Sequence, residues 1–427
     1  MQILKRQRNK MENLKKDLGK ISRNCHMCKD GNLKLVLDLG HHPHSDLFPT
    51  AEELNEAEPY FPLRFVLCEN CKLFQIDYFV NPDYLYRGDY LYQSSTTKTG
   101  RDHYVNMAKD IVKRFGLNGD NLAVDIGSNV GVLLQGFKGE GLKVLGVDPA
   151  EVSKKAIENG INTIIDYFNL DIAKKIVKEY QKANVITATN VFAHLHDIDS
   201  AVEGIKYLLA EDGVVVIEAP YVVDLLEKLE YDTIYHQHIG YLSVTPMQKY
   251  FEKFGLELFD VEKKDIHGGT LRYYVAHTGS HKIERSVKDY LRLEEEKEIY
   301  TDRYLQNFAQ KAQQQKYDLL ELILKLRKQG KKIVGLSAPA KGNTLLNYCH
   351  LDNGYLDFIT EKNPLKIGRF TPGTHLPILN DEDILKKDVD YALILAWNFA
   401  DEIMENMAEF KKKSGKFIIP IPRPKII

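Results

Sequence analysis

Tyr235, His236, Gln237 and His238 stand together in YDTIYHQHIGYLS, residues 231–243. Two imidazoles, a phenol and an amide share four positions. Histidine titrates near neutral pH and is the side chain best suited to general-base work. A lone histidine is usually a satisfied structural group. Two beside a tyrosine, in a loop that follows a strand, point to chemistry. His194, in ATNVFAHL at 188–195, ends an earlier strand and would converge on the same place.

A second constellation is LAVDIGSNVGVLL, residues 122–134. It reads as a buried strand ending on Asp125, a turn bracketed by Gly127 and Gly131, and the start of a helix. Ser128, Asn129 and Val130 fill the turn. KVLGVDP follows and ends on Asp148 and Pro149. A strand, a glycine turn and an acid roughly 20 residues on is how α/β folds hold a nucleoside. Glycines let backbone N–H groups approach the ligand, and the second acid accepts from ribose hydroxyls. The turn is G-x-x-x-G, with no third glycine for a pyrophosphate. That pattern suits S-adenosylmethionine (SAM). By position, Asp166, Tyr167 and Phe168 after the third strand would flank the adenine. Asn190, after the fourth, would lie near the methionine part.

Cys25-His-Met-Cys28 and Cys68-Glu-Asn-Cys71 form two C-x-x-C pairs. Such pairs in a reducing compartment read as a tetrahedral Cys₄ zinc site. With four thiolates no position is left open for water, so the zinc is expected to be structural. The segment between the pairs suggests little core of its own, so metal would supply folding energy. His41, His42 and His44 read as loop histidines or substrate contacts, and Cys349 as a core residue.

The elements that must position these groups follow from the hydropathy pattern. Residues 22–80 form the zinc module. In 81–278, strands read at 122–127, 143–148, 162–165, 184–189 and 213–218, alternating with helices such as 199–209. This implies a parallel sheet covered on both faces. After a helix at 246–254, strands at 256–262 and 270–277 flank DIHGG and should pair as a hairpin. Residues 279–427 open with a charged stretch, 284–329, read as a solvated connecting helix. KIVGLSAPAKGNTLLNYC at 332–349 then gives strand, small-residue turn and helix. Strands at 355–360, 391–396 and 416–421 make a second Rossmann-like unit. Its turn carries Lys341 at a helix N-terminus, a ready anion site for a pyrophosphate. EKNPLKIGRFTPGTHLPI at 361–378 reads as a loop on the same face. The expected fold class is α/β: a class I methyltransferase domain between a small zinc module and a C-terminal Rossmann-like domain.

The formal charge is -2, so the balance suggests neither a nucleic-acid nor a membrane partner. No apolar run is long enough to span a bilayer, and the first 20 residues lack a signal-peptide core. A cytoplasmic protein, monomeric or homodimeric, is expected.

Taken together, the cysteine pairs, YLYQSS, VDIGSNVG, ATNVFAHL, IEAPY, YDTIYHQH, HGGTLRY, PAKGNT, NPLKIGRFTPGTHLPI and ILAWNFADEIM resemble one family. It is that of the three-domain, zinc-containing, SAM-dependent C-methyltransferases of nucleotide-linked deoxysugars. The resemblance covers nearly the whole chain after the first 20 residues. It implies methylation at a sugar carbon, C-3, next to a 4-keto group. A base removes the acidified proton, the enolate takes the methyl group, and configuration inverts. The family motif Tyr-x-Glu-His falls on Tyr235, Gln237 and His238, with His238 as base. Tyr235 and Tyr92 would hydrogen-bond the sugar or its oxyanion. Gln93 and Ser94 join the cofactor candidates. His267, Gly268, Arg272, Lys341, Asn343, Lys366 and Asn398 are the candidates for a dTDP- or GDP-linked sugar. Gln237 departs from the family glutamate and cannot accept a proton, while the nearby acid Asp232 lies outside the motif. Methylation of a sugar hydroxyl is the alternative this departure raises.

Overall fold

The computed structural model describes residues 18–86, 98–266 and 268–427. Tyr92, Gln93, Ser94 and His267 therefore lie outside the described residues.

The central sheet has seven strands: β1 (Leu122–Ile126), β2 (Lys143–Val147), β3 (Thr163–Ile164), β4 (Ala183–Thr189), β5 (Leu209–Pro220), β6 (Leu256–Lys264) and β7 (Thr270–His277). Their order is β6-β7-β5-β4-β1-β2-β3. The first five are parallel to one another, and β7 runs antiparallel to both β5 and β6. This is the expected class I methyltransferase sheet. Every residue of β1 is buried, which is why LAVDI shows no alternation: helices cover both faces. β6 and β7 pair as the expected hairpin, from Leu256↔His277 to Lys264↔Thr270, with a register shift between Leu258 and Asp260.

The N-terminal module is a four-stranded sheet in the order Gly240–Tyr241, Phe74–Ile76, Phe61–Cys68, Leu33–His42. Its edge strand comes from the far side of the sequence, directly after the Tyr235–His238 stretch. The module is not short of core. Phe48, Leu63, Phe65, Leu67, Leu73, Phe74 and Ile76 are each at most 1% exposed, and they join the cluster that runs through the central domain. Hydrophobic burial therefore shares with metal the work of holding it.

The C-terminal sheet has the order Ile378–Asn380, Ile359–Glu361, Ile333–Leu336, Tyr391–Ile394, Lys416–Ile419, Lys425–Ile426. All but the last strand are parallel. The strand order reverses between Ile333–Leu336 and Tyr391–Ile394, and their carboxyl ends open a crevice there. The expected solvated helix at 284–329 is two helices, Arg285–Glu296 and Asp302–Lys328. Both are packed: Glu294, Leu305, Phe308, Ala312, Leu319 and Ile323 are buried. The charged composition reflects the outer face of a helix whose inner stripe is apolar.

Candidate active site

The four cysteine sulfurs converge. Cys25 Sγ is 3.5 Å from Cys71 Sγ, and Cys28 Sγ is 3.4 Å from Cys68 Sγ. All four lie within 4.8 Å of one another. A tetrahedral zinc with Zn–S near 2.3 Å separates sulfurs by about 3.8 Å, so the donor set fits zinc with no open position. The metal would brace the turn before Phe74–Ile76, the strand on which Gly240–Tyr241 lies.

The glycine turn is built for a nucleoside. Gly127 and Gly131 have φ of 71° and 80°, a region a Cβ disfavours. A Cβ on Gly127 would stand 2.6 Å from Val191 Cγ2, so the turn after β1 presses against the turn after β4. Asp148, at the end of β2, accepts from the Asn129 and Ala150 N–H groups, each at 2.8 Å. Ser128 Oγ is buried without a partner among the described residues. Asp125 accepts from Thr187 Oγ at 2.6 Å; burial, with Asp148 nearby, pushes its carboxyl up to about 7. This cradle fits SAM: an acid fixed at the strand end and an unspent hydroxyl in a turn that two positive-φ glycines shape. Asn190, at φ 54°, bonds the Tyr104 hydroxyl at 3.3 Å. Tyr167 reaches Asp83 at 3.2 Å, and Phe168 is buried.

The histidine loop is held from three sides. Gly240–Tyr241 pairs with the zinc module's sheet. Tyr231 donates to Gln315 of the long C-terminal helix. Asp232 accepts from the Trp397 indole at 2.7 Å. In this frame the His238 and Tyr235 rings pack at a 34° tilt with centroids 4.0 Å apart, and the His194 ring centre lies 4.8 Å from that of His238. His238 Nδ1 is 2.9 Å from the Thr233 carbonyl. A carbonyl only accepts, so Nδ1 carries the hydrogen and Nε2 is left as the acceptor. Burial lowers the imidazole to about 4, against the raising effect of the Thr233 carbonyl. His194 is also pushed well down by burial, with His238 and His196 adding to it. The Tyr86 hydroxyl donates to the Gln237 carbonyl at 3.3 Å and meets His194 Nδ1 at 3.3 Å. Gln237 is buried, and its Oε1 has no partner among the described residues. Asn190, His194, Tyr221, Glu230, His238 and Tyr241 line one small cavity, at the carboxyl ends of β4 and β5.

His236, the neighbour of Gln237, turns away: its Nε2 meets the Pro62 carbonyl at 3.1 Å. His42 and His44 are also buried and bonded to backbone carbonyls, of Leu39 and Leu85. His42 ends the strand Leu33–His42 rather than lying in a loop, while His44 lies in the loop that follows it.

Several expected substrate residues bond the chain itself. Arg272 is 1% exposed on β7 and pairs with Glu218 at 2.9 Å, which His103 meets from its other oxygen at 2.5 Å. Asn343 donates to the Ser45 carbonyl at 2.7 Å, and Lys366 to the Ala338 carbonyl at 2.8 Å. Lys366 also pairs with Asp46 at 3.5 Å, and with Asn343 and Arg369, which reaches the Phe48 carbonyl at 3.0 Å, it ties the C-terminal domain to the zinc module. Lys341 is not a solvent-facing cation. It donates to Asn398 across the crevice of the C-terminal sheet and lies 4.1 Å from the Trp397 ring centre. Burial lowers its pKa, while Asp232 and Glu230 oppose that shift. Gly268 is pressed against Glu230.

Sequence reasoning missed Glu230, Trp397, Tyr86 and the His103–Glu218 pair. Only the spacing of Glu230 and Asp232 across Tyr231 hinted at a paired acid site. Nothing local announced that Trp397, more than 160 positions away, would meet it.

The sheet order, the nucleoside cradle and the imidazole beside it define a SAM-dependent methyltransferase. Models of a zinc-binding domain, a methyltransferase domain and a C-methyltransferase C-terminal domain match residues 25–86, 101–261 and 265–422. The C-methyltransferase NovU of Streptomyces niveus is 33% identical over 405 residues, covering 94% of this chain and 96% of that protein. The chain belongs to this family of SAM-dependent C-methyltransferases. Solved structures resemble parts of it. A SAM-dependent methyltransferase from Clostridium acetobutylicum is 12% identical over 42% of this chain and 92% of its own, with a TM-score of 0.33. The magnesium protoporphyrin IX methyltransferase of Synechocystis is 12% identical over 44% and 90%, with a TM-score of 0.35. Among the described residues, no helix is long and apolar enough to cross a membrane.

Proposed function

We propose that the chain methylates carbon 3 of a nucleotide-linked 4-keto deoxysugar, with His238 as general base. The observation that carries this reading is the His238 tautomer: Nδ1–H is spent on the Thr233 carbonyl, and Nε2 is free at the cavity beside the SAM cradle. SAM, when bound, supplies an electrophilic methyl group. What remains is to make a carbon nucleophilic. An imidazole held near pH 4 is unprotonated at neutral pH but is a weak base. It needs a C–H already acidified by a neighbouring carbonyl and an oxyanion that is stabilised as it forms. A 4-keto sugar offers both. Nε2 takes the carbon-bound proton, and the imidazolium then faces the enolate. Tyr235, whose ring packs against His238, would orient it, and the Tyr92 hydroxyl would serve the oxyanion.

The nucleotide handle, dTDP or GDP, is assigned to the crevice of the C-terminal sheet. Lys341, Trp397 and Asn398 stand at its strand-order reversal and adjoin the histidine loop through Asp232. Open α/β sheets bind ligands at such points.

The test is turnover with SAM and a panel of dTDP- and GDP-linked 4-keto and 4-hydroxy sugars, read by NMR and mass spectrometry. A new methyl singlet on a carbon that has lost its proton is expected from a 4-keto sugar. A methoxy signal with every carbon-bound proton retained, or no turnover of any sugar, would reject the reading.

A further inference from the structure

The site of a carbon methyltransferase needs a group for the oxygen on which charge develops. In this chain the motif's acid position holds Gln237. We propose that Glu230 is the carboxyl group of this active site and hydrogen-bonds the carbonyl oxygen of the substrate in the cavity it shares with His238. This rests on the keto-sugar reading above.

Glu230 is 3% exposed and lines the same cavity as His238 and Thr233. Its Oε1 is buried with no hydrogen-bond partner among the described residues. The cations near it are engaged elsewhere. Lys228 bonds Asp224 and the Gly268 carbonyl, and Lys341 bonds Asn398. The wall is shaped around the carboxyl: a Cβ on Gly268 would stand 2.5 Å from Oε1. A buried, unpaired carboxylate is costly, and such a group takes a proton instead. Asp232 and Lys228 from its own segment and Lys341 from the helix Ala340–Cys349 act on its charge, and the titratable groups His194, His238, Tyr221 and Tyr241 share its cavity. Burial and the Asp232 charge raise Glu230 to about 7, against Lys341 and Lys228. Near neutral pH a large fraction of Glu230 therefore carries an O–H with no acceptor of its own. A carboxylic acid kept neutral at an active site is a strong donor to a developing oxyanion. The proton balance closes without moving that hydrogen. The substrate's C–H proton goes to His238 Nε2, the C–H electron pair forms the enolate C=C bond, and the carbonyl π pair settles on the oxygen that Glu230 holds.

Trp397 makes this testable apart from turnover. It is the chain's single tryptophan, and its indole donates to Asp232, whose charge couples to Glu230. Asp232 is itself raised to about 6 by burial, so the readout is taken in Asp232→Asn, whose side-chain oxygen still accepts from the indole. The zinc-loaded full chain carrying it should show a tryptophan-emission transition with pH that added Glu230→Gln removes and added His238→Asn keeps. A transition that survives added Glu230→Gln, or none in Asp232→Asn, would overturn the proposal. On an accepted keto sugar, Glu230→Ala should lower kcat about 100-fold, with SAM affinity unchanged. Glu230→Gln, whose amide still donates, should retain at least tenfold more activity than Glu230→Ala and lose the alkaline limb of the pH–rate profile. Full activity in a folded, SAM-binding Glu230→Ala would overturn this proposal alone. Failure of the wild type to turn over any keto sugar would overturn it together with the reading it rests on.

Discussion

Replacing Glu294 by alanine should destabilise the floor of the active site. Glu294 sits on Arg285–Glu296, is fully buried, and accepts five hydrogen bonds. Val244 N–H at 2.7 Å and Thr245 N–H at 3.0 Å come from the N-terminus of Val244–Glu252. Thr245 Oγ at 2.6 Å, the Tyr221 hydroxyl at 3.0 Å and the Tyr300 hydroxyl at 2.9 Å complete the set. The carboxylate thus caps the helix that follows the histidine loop and fixes Tyr221, which lines the cavity. Alanine strands these donors. The Tyr300 hydroxyl still has Ser243 at 2.9 Å, so four are orphaned. At ~1 kcal/mol for each lost bond the cost is about 4 kcal/mol. For a domain of this size that corresponds to a Tm drop of roughly 8–16 °C. Glu294→Gln keeps one acceptor oxygen but turns an amide N–H₂ toward the donors, and should fall between. The assay is thermal unfolding followed by circular dichroism, with kcat measured well below the transition. A drop of less than 2 °C in Glu294→Ala would refute the cap argument.

Gly127→Ala should weaken SAM binding at least tenfold by calorimetry, because the new Cβ meets Val191 at 2.6 Å in a positive-φ turn. Adding Val191→Ala should recover part of the loss, since the two sites are in contact; no change in affinity would reject the cradle. Stripping zinc, or Cys28→Ser, should lower Tm and kcat together, because the site braces the sheet that carries Gly240–Tyr241. Full activity after stoichiometric zinc loss would show that the module does not position the histidine loop. The acid limb of kcat/KM should lie near pH 4 rather than 6.5. Burial lowers His238, so the unprotonated base persists through neutral pH and is lost only as pH falls through about 4. A limb at 6.5 would contradict a His238 base lowered by burial.

Much of this molecule is legible locally. The seven strands of the central sheet follow from apolar runs punctuated by glycine, and the hairpin at DIHGG follows because no helix fits between β6 and β7. The cysteine pairs announce a metal without help from the rest of the chain. What is not legible comes from distance in sequence. Gly240–Tyr241 carries too few residues to read as a strand, and it is one only because Phe74–Ile76 supplies its partner. That Lys341 faces Asp232 and Glu230 was not legible, because those acids lie on a loop some 110 positions earlier. The partners of Lys366 and Asn343 were not legible either: the Ala338 and Ser45 carbonyls leave no mark in a pattern of side chains, and Asp46 lies 320 positions from Lys366. The charged helix from 302 onward hid its apolar stripe under a high average polarity.

The most direct test of His238 as base is proton exchange at the sugar carbon beside the ketone. The enzyme is held in D₂O with S-adenosylhomocysteine in place of SAM and the 4-keto sugar nucleotide it accepts, and exchange is followed by NMR. The wild type should wash deuterium into carbon 3 without methyl transfer. His238→Asn should bind the same ligands and exchange at the background rate. Exchange in His238→Asn at the wild-type rate would contradict the account, because the proton would then leave to another group.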